Sequence, residues 1–201
     1  MKVILASRSP RRREILGMFG IPFTVVSADA DESSTQGDPA LLVEELALRK
    51  GRATRELLMS RGEWDEDTLI IAADTVVAKG ETVLGKPADA ADAARMLRLL
   101  SDSTHRVISG VALLQGEREV TAHDVTSVTF AHMSEEDIAR YVATGEPADK
   151  AGAYAVQGLA AAFIKGLEGC YFNVVGLPVY RLGELLRAFC GTDLFALGQK
   201  A

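Results

Sequence analysis

The spacing of apolar positions changes several times along the chain, and each change predicts an element. Lys2 to Ala6 reads as a short buried strand. Ser9 and Pro10 then read as a cap and first residue of a helix from about Arg11 to Phe19, closed by Gly20. Phe23 to Ser27 alternates and predicts a second strand. Ala28 to Asp38 is polar and acidic and reads as a loop. From Pro39 to Ser60, Val43, Leu46, Ala47, Ala53 and Leu57 recur at helical spacing. Leu69 to Ala73 is continuously apolar, the pattern of a strand covered on both faces, and Asp74 ends the run.

Further on, Val76 to Leu84 predicts a strand and a turn around Lys79-Gly80, followed by a helix from about Ala88 to Leu100. Val107 to Leu114 and Val120 to Phe130 predict two long strands. Ser134 caps a helix to Ala143, with Asp137 in the capping-box position. Ala161 to Leu167 predicts a strand and Val179 to Phe189 a last helix, with the tail past Gly191 frayed. Helices and strands alternate throughout, so the expectation is an α/β fold on a mixed sheet. No linker, repeat or low-complexity tract interrupts it, so residues 1–201 are expected to form one domain, with room for two lobes.

Composition narrows the function. A net charge of −6 argues against a general nucleic-acid binder, which needs a basic surface, while leaving a small anionic ligand open. Cys170 and Cys190 have neither disulfide-framework nor zinc spacing and fit a reducing compartment. No apolar run reaches the roughly 18 residues of a membrane span, and the first residues do not read as a signal peptide. The expected location is cytoplasmic.

Five segments carry candidate chemistry. Ser7-Arg8-Ser9-Pro10-Arg11-Arg12-Arg13 places arginines at a helix start, where free N–H groups and the helix dipole attract anions. Cations are disfavoured in a first turn unless an anion visits; a solvated basic patch is the competing reading. The segment lacks P-loop or dinucleotide glycines. Asp74 stands where an apolar strand ends, the place at which open α/β sheets bind ligands, and can hold a hard cation or accept a proton. A turn or cap aspartate is its alternative. Lys50 falls in register with the helical apolar stripe and must either snorkel or meet an anion. Lys86, in Gly85-Lys86-Pro87, is a lysine in a tight turn. Gln157, between small residues and Gly158, carries an amide able to read a base edge, or is an ordinary surface glutamine. His105, His123 and His132 show no metal-ligand spacing.

Taken in order, several stretches resemble the Maf family, also called septum-formation-inhibitor-like proteins. They are Leu5 to Arg12, Ala73-Asp74-Thr75-Val76-Val77, Gly85-Lys86-Pro87, Ser101 to Val111, Asp149 to Gly158, and Asn173 to Pro178. The resemblance covers about residues 2 to 190. It implies an elongated fold related to the inosine-triphosphate pyrophosphatases, with a twisted mixed sheet flanked by helices and a cleft between two lobes. It also implies hydrolysis of nucleoside triphosphates between the α and β phosphates with a divalent metal, and a homodimer. On this chain, Asp74 matches the proton acceptor and Glu32 a functional acid in the loop after the second strand. Ser7, Arg11, Arg12, Lys50 and Lys86 match phosphate-side positions. Arg11, Thr75 and Gln157 match positions linked to substrate choice. Glu32 and Asp74 together are the expected holders of Mg²⁺ or Mn²⁺.

The Asp149-Lys150-Ala151-Gly152-Ala153-Tyr154 segment with Gln157 resembles the subtype that prefers dTTP and UTP, some of whose members accept modified pyrimidine nucleotides. A 7-methyl-GTP pyrophosphatase is the alternative within the family, and a nucleotide-binding regulator of cell division without turnover is the alternative outside enzymes. Ser101-Asp102-Ser103 departs from the family's common Ser-Gly pair, and Ala160-Ala161-Ala162 replaces a stretch often richer in glycine.

Overall fold

The computed structural model describes Met1–Gln199. In chain order it contains β1 (Val3–Ala6), α1 (Pro10–Gly17), β2 (Phe23–Val25), α2 (Pro39–Ser60), β3 (Leu69–Lys79), β4 (Thr82–Leu84), α3 (Ala90–Leu100), β5 (Thr104–Gln115), β6 (Arg118–Phe130), α4 (Glu135–Ala143), β7 (Ile164–Glu168), α5 (Tyr171–Val175), α6 (Val179–Cys190) and α7 (Leu194–Gly198). Short 3₁₀ turns at Glu146–Asp149, Ala151–Ala153 and Leu159–Phe163 fill the stretch between α4 and β7. Among the described residues the strands form one mixed sheet in the order β2-β1-β3-β5-β6-β7, with β4 paired to β3. The expected mixed α/β class is therefore what the chain adopts.

The chain divides into two compact units. The first comprises Met1–Asp74, Ser109–Asp124 and Gly176–Ala201, and the second Thr75–Ile108 and Val125–Val175. In the first, β1 pairs in parallel with β2 and with β3, in the register Val3↔Leu69 to Ala6↔Ala72. Val3 to Ala6 and Leu69 to Ala73 are buried throughout, which is why neither run alternates. Helix α2 has the predicted bounds, with Asp38 accepting from the Ala40 N–H at its start. Its buried stripe is Val43, Leu46, Ala47, Gly51, Thr54 and Leu58, so its second half turns inward on Gly51 and Thr54 rather than on Ala53 and Leu57. Close packing selects the small residue there. A Cβ on Gly51 would lie 2.4 Å from the Leu114 side chain, and one on Gly110 of β5 would lie 2.4 Å from the Val43 carbonyl oxygen.

In the second unit, β3 pairs antiparallel with β4 and β6 with β7. Its core gathers Val77, Leu97, Leu100, Val128, Phe130 and Tyr141. His105 is buried there, with Nε2 2.8 Å from the Tyr154 hydroxyl and its ring edge-on to Phe130. Burial, helped by the Lys79 charge, lowers its pKa to about 4. The predicted capping box forms in full: Ser134 Oγ accepts from the Asp137 N–H, and Asp137 accepts from the Ser134 N–H. Asp102 adopts φ +50°, in the left-handed region that aspartate tolerates better than most residues.

Three expectations need correction. Asp74 does not end its strand, because β3 runs on to Lys79. What ends is β1, whose pairing with β3 stops at Ala6↔Ala72, so Asp74 emerges just past the carboxyl end of the neighbouring parallel strand. The strand expected from Ala161 starts at Ile164, and residues 161–163 belong to a 3₁₀ turn, in which Ala161 and Ala162 lack the β-branching that favours extension. The tail beyond Gly191 is not frayed as far as Gly198. Asp193 caps α7, which buries Leu194 and Leu197, and Gly198 packs against the Phe19 carbonyl.

Candidate active site

The first unit brings Ser7, Arg12, Glu32, Lys50 and Asp74 together. Lys50 projects from the middle of α2, and its ammonium lies 2.6 Å from Asp74 Oδ1 and 2.7 Å from Glu32 Oε1. Of the two outcomes open to a lysine beside an apolar stripe, this one meets anions. Asp74 is only 8% exposed and shares the Lys50 ammonium with Glu32. Glu32 is exposed on the loop before α2.

That loop has no regular structure of its own, yet Glu32 is braced on both sides. Arg49 Nη1 donates to the carbonyls of Asp31 (3.2 Å) and Ser33 (2.6 Å), the two neighbours of Glu32. Ser33 folds back on the Asp31 carboxylate through its N–H (2.9 Å) and hydroxyl (2.8 Å), which lower the Asp31 pKa. Ser34 donates to Glu45, which also pairs with Arg49. Sequence reasoning passed over Arg49. Its spacing from Glu45 is that of an ordinary helix ion pair, and nothing local signals the contact with residues 31 and 33.

The arginine turn is arranged differently from expectation. Ser9 caps α1 with Pro10 in its first turn, as predicted. Arg12, however, does not simply await an anion. Its Nε donates to the Gly176 carbonyl (2.7 Å) and its Nη1 to the Ala73 carbonyl (2.8 Å) and to Ser7 Oγ (3.3 Å). Burial lowers its pKa, opposed by the negative charge of Asp74 and aided by the like charge of Arg11. Its cationic charge in the first turn is thus met largely by protein oxygens. Arg8 pairs with Asp29. Ser7 is buried and accepts from the Ser9 N–H (3.2 Å), so it tightens the turn. Arg11 is half-buried beside Arg12.

Thr75, Lys86 and Gln157 belong to the second unit. Thr75 follows Asp74 within β3 and is half-buried; Lys86 and Gln157 are exposed. The turn of Lys86 and the segment leading to Gln157 are fastened to each other, because the Gly152 N–H donates to the Gly85 carbonyl at 3.0 Å. Gly152 has φ +68°, and a Cβ there would lie 2.7 Å from Val77, so both conformation and space call for glycine.

A carboxylate–ammonium–carboxylate bridge thus lies just past the end of β1, with the arginine-led start of α1 in the same unit. Residues 2–189 match the family described as Maf-like protein, and the chain belongs to that family. Among its relatives, the dTTP/UTP pyrophosphatase of Pelotomaculum thermopropionicum is 51% identical over 191 residues, covering 94% of this chain and 96% of the relative. The dTTP/UTP pyrophosphatase of Symbiobacterium thermophilum is 48% identical over 198 residues, 98% of each chain. That of Moorella thermoacetica is 49% identical over 197 residues, 96% of this chain and 97% of the relative. The Ham1 protein of Staphylococcus aureus, a solved structure, shares 13% identity at a TM-score of 0.43, over 65% of this chain and 72% of that one.

Proposed function

We propose that this protein hydrolyses dTTP and UTP, and by extension modified pyrimidine nucleotides, between the α and β phosphates to the monophosphate and pyrophosphate. The observation that carries the reading is the Lys50 ammonium held at 2.6 and 2.7 Å by two carboxylates far apart in sequence. Near full-length relatives at about half identity bear the name of that activity.

The residues present suit a divalent cation. Glu32 and Asp74 are brought together on the Lys50 ammonium, and among the described residues no group of three or more His, Cys, Asp and Glu is placed to hold a metal by itself. Glu32 and Asp74 would hold such a cation, with phosphate and water supplying the remaining ligands, as suits Mg²⁺. When bound, it supplies neutralisation of phosphate charge and a more acidic water. The protein's own part follows from its geometry. Asp74 accepts the proton of the attacking water. Lys50 holds the Asp74 carboxylate in place and adds positive charge beside the reacting phosphate. Arg12 holds the Ala73 and Gly176 carbonyls in place, while Arg11 and Lys86 bind phosphate oxygens through charge-assisted bonds. Thr75 and Gln157 read the base, and a site built on hydrogen bonds rejects bases that leave its groups unpaired.

Cys170 and Cys190 are both free thiols, which supports a reducing cytoplasmic setting. Among the described residues no helix is long and apolar enough to cross a membrane.

The test is pyrophosphate release from dTTP, UTP, dATP, dGTP and 7-methyl-GTP, with and without EDTA. Release that is fastest with dTTP or UTP and lost in EDTA is expected. A preference for 7-methyl-GTP overturns the substrate assignment, and nucleotide binding without release overturns the activity.

A further inference from the structure

Gln157 is exposed on an irregular stretch, and the hydrogen bonds it is proposed to make to a base depend on where its backbone is held. Two residues before it, the Ala155 N–H donates to the Tyr141 hydroxyl at 3.3 Å. Two residues after it, the Leu159 N–H donates to Glu146 Oε2 at 3.1 Å. The Tyr141 hydroxyl donates in turn to Glu146 Oε1 at 2.7 Å. One phenol–carboxylate pair therefore grips the chain on both sides of Gln157.

The grip is close. A Cβ on Gly158 would lie 2.4 Å from both Glu146 oxygens, so the carboxylate rests directly against the backbone beside Gln157. The pair is itself anchored. Tyr141 is 4% exposed, within the core of the second unit, and burial raises its pKa, so the hydroxyl remains a donor. Gly145, at φ +76°, turns the chain after α4, and Lys150 Nζ donates to the Glu146 carbonyl at 2.8 Å. The lysine that accompanies Gln157 in the pyrimidine-type pattern is thus bonded to the base of the clip.

We infer that Tyr141 and Glu146 are positioning residues that set the pyrimidine selectivity of Gln157. This rests on the assignment of Gln157 to the base. A purely structural role makes a different prediction: lower stability with unchanged discrimination.

The experiment compares kcat and KM for dTTP and dGTP, together with melting temperatures, in the parent, Gln157→Ala, Tyr141→Phe, Glu146→Gln and the Gln157→Ala/Tyr141→Phe double variant. Glu146→Gln keeps one acceptor and sets a donor against an N–H; Tyr141→Phe keeps the ring and carries the test if the other folds poorly. Tyr141→Phe and Glu146→Gln are expected to lower the dTTP-over-dGTP ratio of kcat/KM about tenfold, through the KM for dTTP, with kcat within about twofold. The double variant should lose no more discrimination than Gln157→Ala alone, because residues acting as one unit are not additive. If Gln157→Ala lowers the ratio and the clip variants do not, the clip inference is overturned while the base assignment stands. An unchanged ratio in Gln157→Ala overturns the base assignment and the inference with it.

Discussion

Replacing Asp74 by Asn separates what this carboxylate does for the fold from what it does for chemistry. Asparagine keeps the shape, and its amide oxygen remains available to the Lys50 ammonium now found 2.6 Å from Oδ1. Lys50 also retains Glu32 at 2.7 Å, so no isolated charge is left behind. The bond changes from charge-assisted to ordinary, a loss of about 1–2 kcal/mol at a pair this little exposed. For a chain of this size, that lowers the melting temperature by roughly 3–6 °C. Turnover should respond on a larger scale, because an amide cannot take the proton of the attacking water. Loss of a general base costs about 100-fold or more, equivalent to about 2.7 kcal/mol of barrier. The assay is steady-state pyrophosphate release from dTTP at saturating divalent cation, run well below the melting temperature, beside a thermal melt of the same preparation. A variant that melts a few degrees early yet keeps kcat within about threefold of the parent refutes the role of Asp74 as base and leaves it as a partner for Lys50.

Three further outcomes are expected. Arg12→Lys should destabilise the protein by about 2 kcal/mol or more, read by denaturant unfolding, because a lysine cannot reach the Gly176 and Ala73 carbonyls together as the fork does. Arg49→Ala frees both flanks of Glu32. It should raise the divalent cation concentration needed for half-maximal rate about tenfold and speed proteolysis of the loop before α2, with kcat at saturating cation little changed. His105 links stability to acid. Its pKa is lowered to about 4 in the fold, so between about 6.5 and 4 the unfolded chain binds the extra proton, and stability falls as pH falls, by about 3 kcal/mol over that window. Unfolding curves from pH 7 to 4 should show that loss in the parent, and less of it in His105→Phe.

Much of the architecture can be read locally because the forces that set it are local. Ser9 with Pro10, Asp38 with Pro39, and Ser134 with Asp137 satisfy helix-end N–H groups within a few residues, so the bounds of α2 and the start of α4 are legible from the chain alone. The unbroken runs around Ile4 and Ile70 announce strands buried on both faces. The candidate residues for phosphate and base were legible as residue types at recurring positions, with resemblance needed to single out Glu32 in an exposed loop.

Tertiary structure alone decided which of those side chains meet. Lys50 could have run out to solvent; only the packing of α2 on the sheet, and the course of the acidic loop before it, sets two carboxylates on its ammonium. Arg12 reads as an anion ligand in the chain, and the fold turns it toward the Ala73 and Gly176 carbonyls. Asp74 reads as a strand end because its apolar run stops there, yet the boundary that exposes it belongs to β1. Arg49 and the Tyr141–Glu146 clip carry no local mark at all. The reason is physical. Caps and periodicity come from bonds and contacts a few residues apart, whereas an ion pair or a backbone brace depends on distances that exist only after strands and helices distant in sequence have packed.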